Sequence, residues 1–188
     1  MRALLEGPAP VVAPRLLGSF LRSTIGGVET GVVITEVEAY TQDDPASHSF
    51  KGPSRRNASM FSGPGTLYVY RAYGIHWCPN VVVGPVGDGS AVLVRAGVPF
   101  LGHAHMADRR GRQDHLCDGP GRLAQALGID GRHDGLDLLA VGAPVTLSAG
   151  EPLPGRTMPR VGISKAVERP WRWLADGPVM SGPLDHES

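Results

Sequence analysis

From Val28 to Tyr40 the chain runs Val-Glu-Thr-Gly-Val-Val-Ile-Thr-Glu-Val-Glu-Ala-Tyr, rich in β-branched side chains and free of proline. Such a run favours an extended strand, because branched side chains pack well on a pleated surface and lose rotamer freedom in a helix. Successive side chains of a strand point to opposite faces. Thr35, Val37 and Ala39 therefore share one face, and Glu36, Glu38 and Tyr40 the other. A chain built on this strand needs a sheet with one face on an apolar core and the other open enough to hold two carboxylates beside an aromatic ring. Ser19–Ile25 precedes it across Gly26-Gly27 and reads as the partner arm of a hairpin.

The alternation recurs in Tyr68-Val69-Tyr70-Arg71-Ala72-Tyr73-Gly74, which ends on a tyrosine at a glycine turn. Strand signals cover Thr66–Ala72, Asn80–Val83 and Ser90–Ala96, the last two joined by a glycine-rich turn. Val12–Leu17 reads as a short helix after the proline turns at Pro8 to Pro14. Asp118-Gly119-Pro120 reads as a helix start with a side-chain cap and a first-turn proline, running through Arg122–Leu127 and stopping at Gly128. The N-terminus of that helix offers free amides to a phosphate. Glycine and proline together supply 43 of 188 residues, so elements should be short and loops such as residues 41–65 shaped rather than flexible. The expected fold is a single domain over residues 1–188, mixed α/β of the α+β kind with a mainly β core.

No apolar run approaches the roughly 20 residues of a membrane span, and no basic segment followed by an apolar core opens the chain. A soluble, cytoplasmic protein without membrane contact is expected. Cys78 and Cys117 are too few for a disulfide framework and read as buried small apolar residues. His76 and His115, each two residues before a cysteine, invite a zinc reading, but structural zinc sites show tighter Cys-x2-4-Cys pairing.

The net charge is zero, yet its distribution is uneven. Residues 1–50 carry three basic and six acidic side chains, residues 51–112 eight and two, and residues 113–188 seven and ten. The middle segment, with Lys51, Arg55, Arg56, Arg71, Arg109, Arg110 and Arg112, forms a local basic surface suited to phosphate contacts. A merely solvated face is the plainer alternative.

Strand carboxylates are usually solvated. Glu38 has a different setting: a valine-rich strand on one side, Tyr40 two residues on, and a shaped loop ending at His48. A carboxylate in a half-buried pocket is tuned toward general-base work, and flat rings beside it can stack on a planar group. Together they fit hydrolysis at a nucleotide. Glu36 is the competing carboxylate. Tyr68 and Tyr70 read first as core aromatics, whereas Tyr73, before a glycine at a strand end, can stand clear of the surface.

From about Val12 to Ser181 the chain resembles the methylpurine (3-methyladenine) DNA glycosylases of base excision repair, of the alkyladenine type. The resemblance rests on Glu36-Val37-Glu38-Ala39-Tyr40, Asp44-Pro45-Ala46-Ser47-His48, Arg56-Asn57 with Met60-Phe61, Pro64-Gly65-Thr66-Leu67-Tyr68-Val69-Tyr70, Tyr73-Gly74, Cys78-Pro79-Asn80, Val92-Leu93-Val94-Arg95-Ala96, Gly119-Pro120-Gly121-Arg122-Leu123 and Pro170-Trp171-Arg172-Trp173. It implies a curved antiparallel sheet similar to the C-terminal domain of formyltransferases. It also implies that Glu38 activates a water for attack on the sugar's anomeric carbon. Arg95 and a backbone carbonyl near Met180 would help hold that water. Tyr40 and His48 would sandwich an extruded base, Asn80 would line its pocket and disfavour the amino group of guanine, and Tyr73 would fill the gap left in the duplex. Arg55, Arg56, Arg109 and Arg110 are the candidate backbone contacts.

The implied substrates are 3-methyladenine, 7-methylguanine, hypoxanthine and ethenoadenine in double-stranded DNA. The implied partner is that DNA, with the protein acting as a monomer and associating with the nucleoid when bound. Strand-nicking glycosylases form a Schiff base through an amine. This chain has only Lys51 and Lys165, neither in the Glu38 segment, so a monofunctional enzyme without metal or organic cofactor is expected. Two alternatives stand beside it: a metal-dependent hydrolase using Asp43, Asp44, His48 and Glu38, and a protein that binds damaged DNA without cutting it.

Overall fold

Strands β1 (Phe20–Ser23) and β2 (Thr30–Tyr40) form the hairpin expected around Gly26-Gly27, with Phe20 opposite Val33 and Ser23 opposite Thr30. The computed structural model that shows this describes residues 1–177. Strands β3 (Leu67–Ala72), β4 (His76–Val83) and β5 (Ser90–Leu101) follow as an antiparallel meander, and β6 (Val145–Ser148), β7 (Gly155–Met158) and β8 (Arg172–Ala175) come late in the chain. The sheet runs β3-β4-β5-β2-β1-β6, with β8 pairing both β2 and β7. One edge of β2 is divided between two partners: residues 30–33 pair with β1, and Glu36–Glu38 pair with β8. The other edge lies along β5.

Three bulges interrupt the β2–β5 ladder, the first of which leaves Phe100 as an extra residue on β5 between the partners of Gly31 and Val32. Ile34 pairs with Gly97 and Glu36 with Ala96, which leaves Thr35 as an extra residue on β2. Glu36 then pairs with Ala96 and Val37 with Val94, which leaves Arg95 as the extra residue on β5. A bulge bends and twists its strand, and the whole sheet is curled into an antiparallel half-barrel. The bulge also shifts parity, because one extra residue exchanges the faces of a strand. Val32 and Ile34 before it, and Val37 and Ala39 after it, all reach the same buried core. Glu36, Glu38 and Tyr40 are left on the opposite side. The simple alternation holds from Glu36 to Tyr40 and breaks at Thr35.

The core runs from Leu5 to Trp173 and is closed by short helices. Helices α1 (Arg2–Leu5) and α2 (Ala9–Val12) come first, α2 continuing as a 3-10 turn to Leu16. Helices α3 (His103–Arg110) and α4 (Pro120–Leu127) pack on each other, and α4 also packs on β4 and β5. α4 ends at Gly128, whose positive φ of 74° lets its N–H turn back to the Ala124 and Gln125 carbonyls. Its start differs from the expected one. Gly119 occupies the cap position without a side-chain cap, since the backbone of Asp118 bridges to Ala96 of β5. The Asp118 carboxylate meets His115 Nδ1 at 2.6 Å and Arg122 Nη1 at 2.8 Å instead. Strand β4 begins at His76 rather than Asn80, β5 extends to Leu101, and α3 and β6 to β8 carry no signal read from the sequence. Both cysteines are buried thiols, as expected. No helix among the described residues is long and apolar enough to cross a membrane.

Candidate active site

The Glu36–Tyr40 face of β2 opens into a cleft of about 1070 Å³ whose lining includes Glu38, Tyr40, His48, Tyr68, Tyr70, Asn80 and Arg95. Glu38 lies at its floor and is 0 % exposed. A buried carboxylate keeps its charge only with compensating donors, and Glu38 has three. The Tyr40 hydroxyl donates to Oε2 at 2.8 Å, the Val161 backbone N–H donates to Oε1 at 2.8 Å, and Arg95 Nη1 stands 3.3 Å from Oε1. Burial and the neighbouring Glu38 charge push the Tyr40 phenol well above its ordinary pKa, so it remains a donor.

Arg95 is aimed at this carboxylate by the bulge that carries it and by Glu36. Arg95 Nε and Arg172 Nε each donate to Glu36 Oε1 at 2.7 Å. Glu36 therefore already holds two guanidinium groups, one from β5 and one from β8. This separates the two carboxylates that the sequence left in competition: Glu38 lines the cleft at its floor, and Glu36 braces the cation beside it.

The opposite wall comes from the loop after β2 and from β3. His48 Nδ1 lies 3.0 Å from the Tyr68 hydroxyl, and its ring meets Tyr70 edge-on with centroids 4.5 Å apart. The surrounding walls strip water from the imidazole and hold its pKa below the usual histidine value. Asn57 shapes the loop, its Nδ2 donating to the His48 and Gly52 carbonyls and its Oδ1 accepting from Ser54 N and Oγ. Asn80 is buried, and its Nδ2 donates to the Tyr68 and Cys78 carbonyls. Its side-chain oxygen is the group left for whatever enters.

Tyr40 has a cation on its far side. The Arg160 guanidinium lies 4.8 Å from the Tyr40 ring centroid and 5.5 Å from the Trp171 ring, fully buried between them. It pairs with buried Asp44 through both terminal nitrogens and donates to the Ala39 and Ala166 carbonyls. Asp44 is thus committed to Arg160, and Asp43 at the surface accepts from the Thr41 hydroxyl. The Asp43, Asp44, His48 and Glu38 set does not converge as metal ligands. Among the described residues no three His, Cys, Asp or Glu side chains do.

At the cleft's edge the β3–β4 hairpin turns through Tyr73 and Gly74, both at positive φ (50° and 71°). This is the requirement of a type I′ turn, which glycine meets without strain and tyrosine does not. The turn leaves Tyr73 87 % exposed. Arg55 and Arg56 are exposed on the Asn57 loop, and Arg56 lines the cleft. Arg109 and Arg110 are not brought to it. Arg109 on α3 donates to the Ile25 and Ala126 carbonyls, and Arg110 to the Gln125 side chain, tying α3 to α4 and to the β1–β2 turn. Met180 lies outside the described residues. Among the described residues, the backbone that reaches Glu38 belongs to Val161.

A family model described as methylpurine-DNA glycosylase (MPG) matches residues 3–178. The chain belongs to the methylpurine-DNA glycosylase family. Two curated relatives carry the name "Putative 3-methyladenine DNA glycosylase". The protein from Rhodopseudomonas palustris (strain BisB18) is 54 % identical over 166 residues, covering 86 % of this chain and 80 % of its own. That from Nitrosospira multiformis is 48 % identical over 176 residues, covering 92 % and 89 %. As a methylpurine-DNA glycosylase the protein is a DNA-repair hydrolase acting on N-glycosyl bonds, and its macromolecular partner is DNA. For such a glycosylase the cleft supplies a buried carboxylate, a cation beside it and aromatic walls on either side. Sequence reasoning missed Arg160, Val161 and the bracing role of Asn57. Arg160-Val161 lies in a proline-flanked stretch without periodicity, and its partners Ala39, Asp44 and Glu38 are more than 100 positions away. Asn57 follows two arginines in a polar loop, where a lone amide gives no sign of the carbonyls it will meet.

Proposed function

We propose that this glycosylase extrudes alkylated or deaminated purines from duplex DNA, holds the base between Tyr40 and His48, and hydrolyses its N-glycosidic bond with a water activated by Glu38. The single observation that carries the reading is Glu38 itself: fully buried at the floor of an aromatic-walled cleft, yet supplied with donors from Tyr40, Val161 and Arg95. A base within a duplex is out of reach of a recessed group, so the nucleotide has to leave the stack. Tyr73, exposed on its strained turn, is suited to occupy the vacated space and offset part of the unstacking cost, a few kcal/mol.

In the reaction, the water's oxygen bonds to the anomeric carbon as its proton passes to Glu38. The N-glycosidic bond breaks with its electron pair leaving on the purine. Alkylated purines such as 3-methyladenine and 7-methylguanine carry a positive charge, which aids departure and favours aromatic faces. Neutral hypoxanthine and ethenoadenine need protonation as they leave. Lys51 and Lys165 are absent from the cleft lining, which supports monofunctional chemistry that ends at an abasic site. A monomer on its duplex, with phosphate contacts from Arg55, Arg56 and Arg71, completes the reading.

The test is direct. The protein is incubated with duplexes that each carry one defined lesion, and alkali then cleaves any abasic site. Lesion-specific strand breaks that appear only after alkali are expected. Breaks before alkali would overturn the monofunctional assignment, and no breaks with any of the four lesions would overturn the substrate assignment.

A further inference from the structure

The cation behind Tyr40 bears on which bases the cleft prefers, an inference that rests on the reading above. An aromatic face attracts a cation through the negative potential of its π-cloud. Here one face of Tyr40 is already occupied, with the Arg160 guanidinium 4.8 Å from the ring centroid. An unbalanced charge there would oppose a second cation on the other face. It is balanced: Asp44, equally buried, binds Arg160 through both carboxylate oxygens. The other charged groups near the ring are Glu38, which accepts from the Tyr40 hydroxyl, and Arg95 beside that carboxylate, and the neutral Tyr70 phenol lies nearby.

We propose that the Arg160–Asp44 pair sets the electrostatic potential behind Tyr40 and so determines how strongly the cleft favours a cationic purine over a neutral one. Neither residue touches the base. Both act through the ring that does. Packing alone does not demand this arrangement, since a buried ion pair is commonly replaceable by apolar groups of similar volume without loss of stability. Among the described residues Arg160 Nε finds no partner, although every other nitrogen of the guanidinium is engaged. The group is therefore held for its charge and plane against Tyr40 more than for complete hydrogen bonding.

The experiment uses a Glu38→Gln background, which retains the cleft but does not cleave, so that uncut lesion duplexes can be titrated at equilibrium. The readout is the ratio of Kd values for one duplex carrying 7-methylguanine and the same duplex carrying hypoxanthine. Asp44→Asn leaves Arg160 unbalanced and should move the ratio against 7-methylguanine by about tenfold. Arg160→Gln removes the cation, keeps a donor for Asp44, and should move the ratio about threefold the other way. The double variant should return it to the background value. If Asp44→Asn does not fold, Arg160→Gln decides alone, and an unchanged or reversed ratio overturns the proposal. Equal weakening toward both lesions in the single variants would reduce the pair to packing and overturn it too. If the background protein binds neither lesion better than undamaged duplex, the lesion-binding reading itself falls, and this inference with it.

Discussion

The Tyr40 hydroxyl donates a 2.8 Å hydrogen bond to Glu38 Oε2, two positions earlier on the same face of β2. One residue thus serves the cleft twice, with its ring as a wall and its oxygen as a clamp on the buried carboxylate. Tyr40→Phe separates the two roles. Binding of a lesion duplex should change by less than threefold, while single-turnover excision falls by about tenfold, the scale of one hydrogen bond to a charged group. A matching loss in binding would show that the hydroxyl serves the wall.

Glu38→Gln should lower excision by roughly 10²–10⁴-fold or more, because an amide keeps the shape but cannot take the water's proton. Affinity for an abasic-site duplex should persist. Glu36→Gln should reduce the rate by about tenfold and also lower Tm, since Arg95 and Arg172 both lean on that carboxylate. Single-turnover rates ranked the other way would exchange the two assignments.

Tyr73 is exposed, and its proposed wedge role can be read only on DNA. Tyr73→Ala should slow excision from a fully paired duplex by about tenfold and leave a lesion in a bulge nearly unaffected, because the bulge is already unstacked. Circular dichroism should show an unchanged fold, since the side chain is exposed and the strain of the 50° φ stays with any residue that has a Cβ. Equal losses in the two contexts would remove the wedge role.

Arginines that carry the same charge should differ in kind. Arg55→Ala with Arg56→Ala should flatten the salt dependence of DNA binding by roughly 0.9 in log–log slope for each phosphate that is no longer neutralised. Arg109→Ala should leave that slope alone and lower Tm, because its guanidinium donates to carbonyls of two other elements. A flatter slope from Arg109→Ala would move the DNA face to α3.

His48 gives the pH signature. Its folded-state pKa lies below the ordinary 6.5 because burial disfavours the charged ring. The unfolded chain therefore takes up the proton first, and stability declines as pH falls from about 6.5 until the folded-state value is passed. His48→Gln should flatten the urea-midpoint profile just below about pH 6.5. Rising stability over that window in the parent protein would mean that the charged imidazole is favoured in the fold.

The sequence showed the hairpin arms, the β3–β5 meander and the shared face of Glu36, Glu38 and Tyr40 because each is a local pattern of period two. The Thr35 bulge was hidden, since an inserted residue looks like any other until its partner strand is known. Strands β7 and β8 are short and partly exposed, and they exist through pairing with each other and with β2 rather than through their own apolar patterns. Charge counting treated Arg160 as one more basic side chain of an acidic segment, and Arg109 as part of a basic surface. Whether a guanidinium faces water or a carbonyl is decided by tertiary contacts, and no spacing in the chain reports it.

Strand β2 is hydrogen-bonded along both edges, to β5 on one side and to β1 and β8 on the other, and it carries Glu36, Glu38 and Tyr40. Its amides should be among the last to exchange with deuterated solvent, opening only when the whole molecule opens. The carboxylate proposed to activate water would then sit on a strand held on both sides, with little freedom to adjust to what arrives. Under the proposed reaction, fitting a lesion to that carboxylate would fall to the nucleic acid, whose backbone would have to swing while the protein stands still.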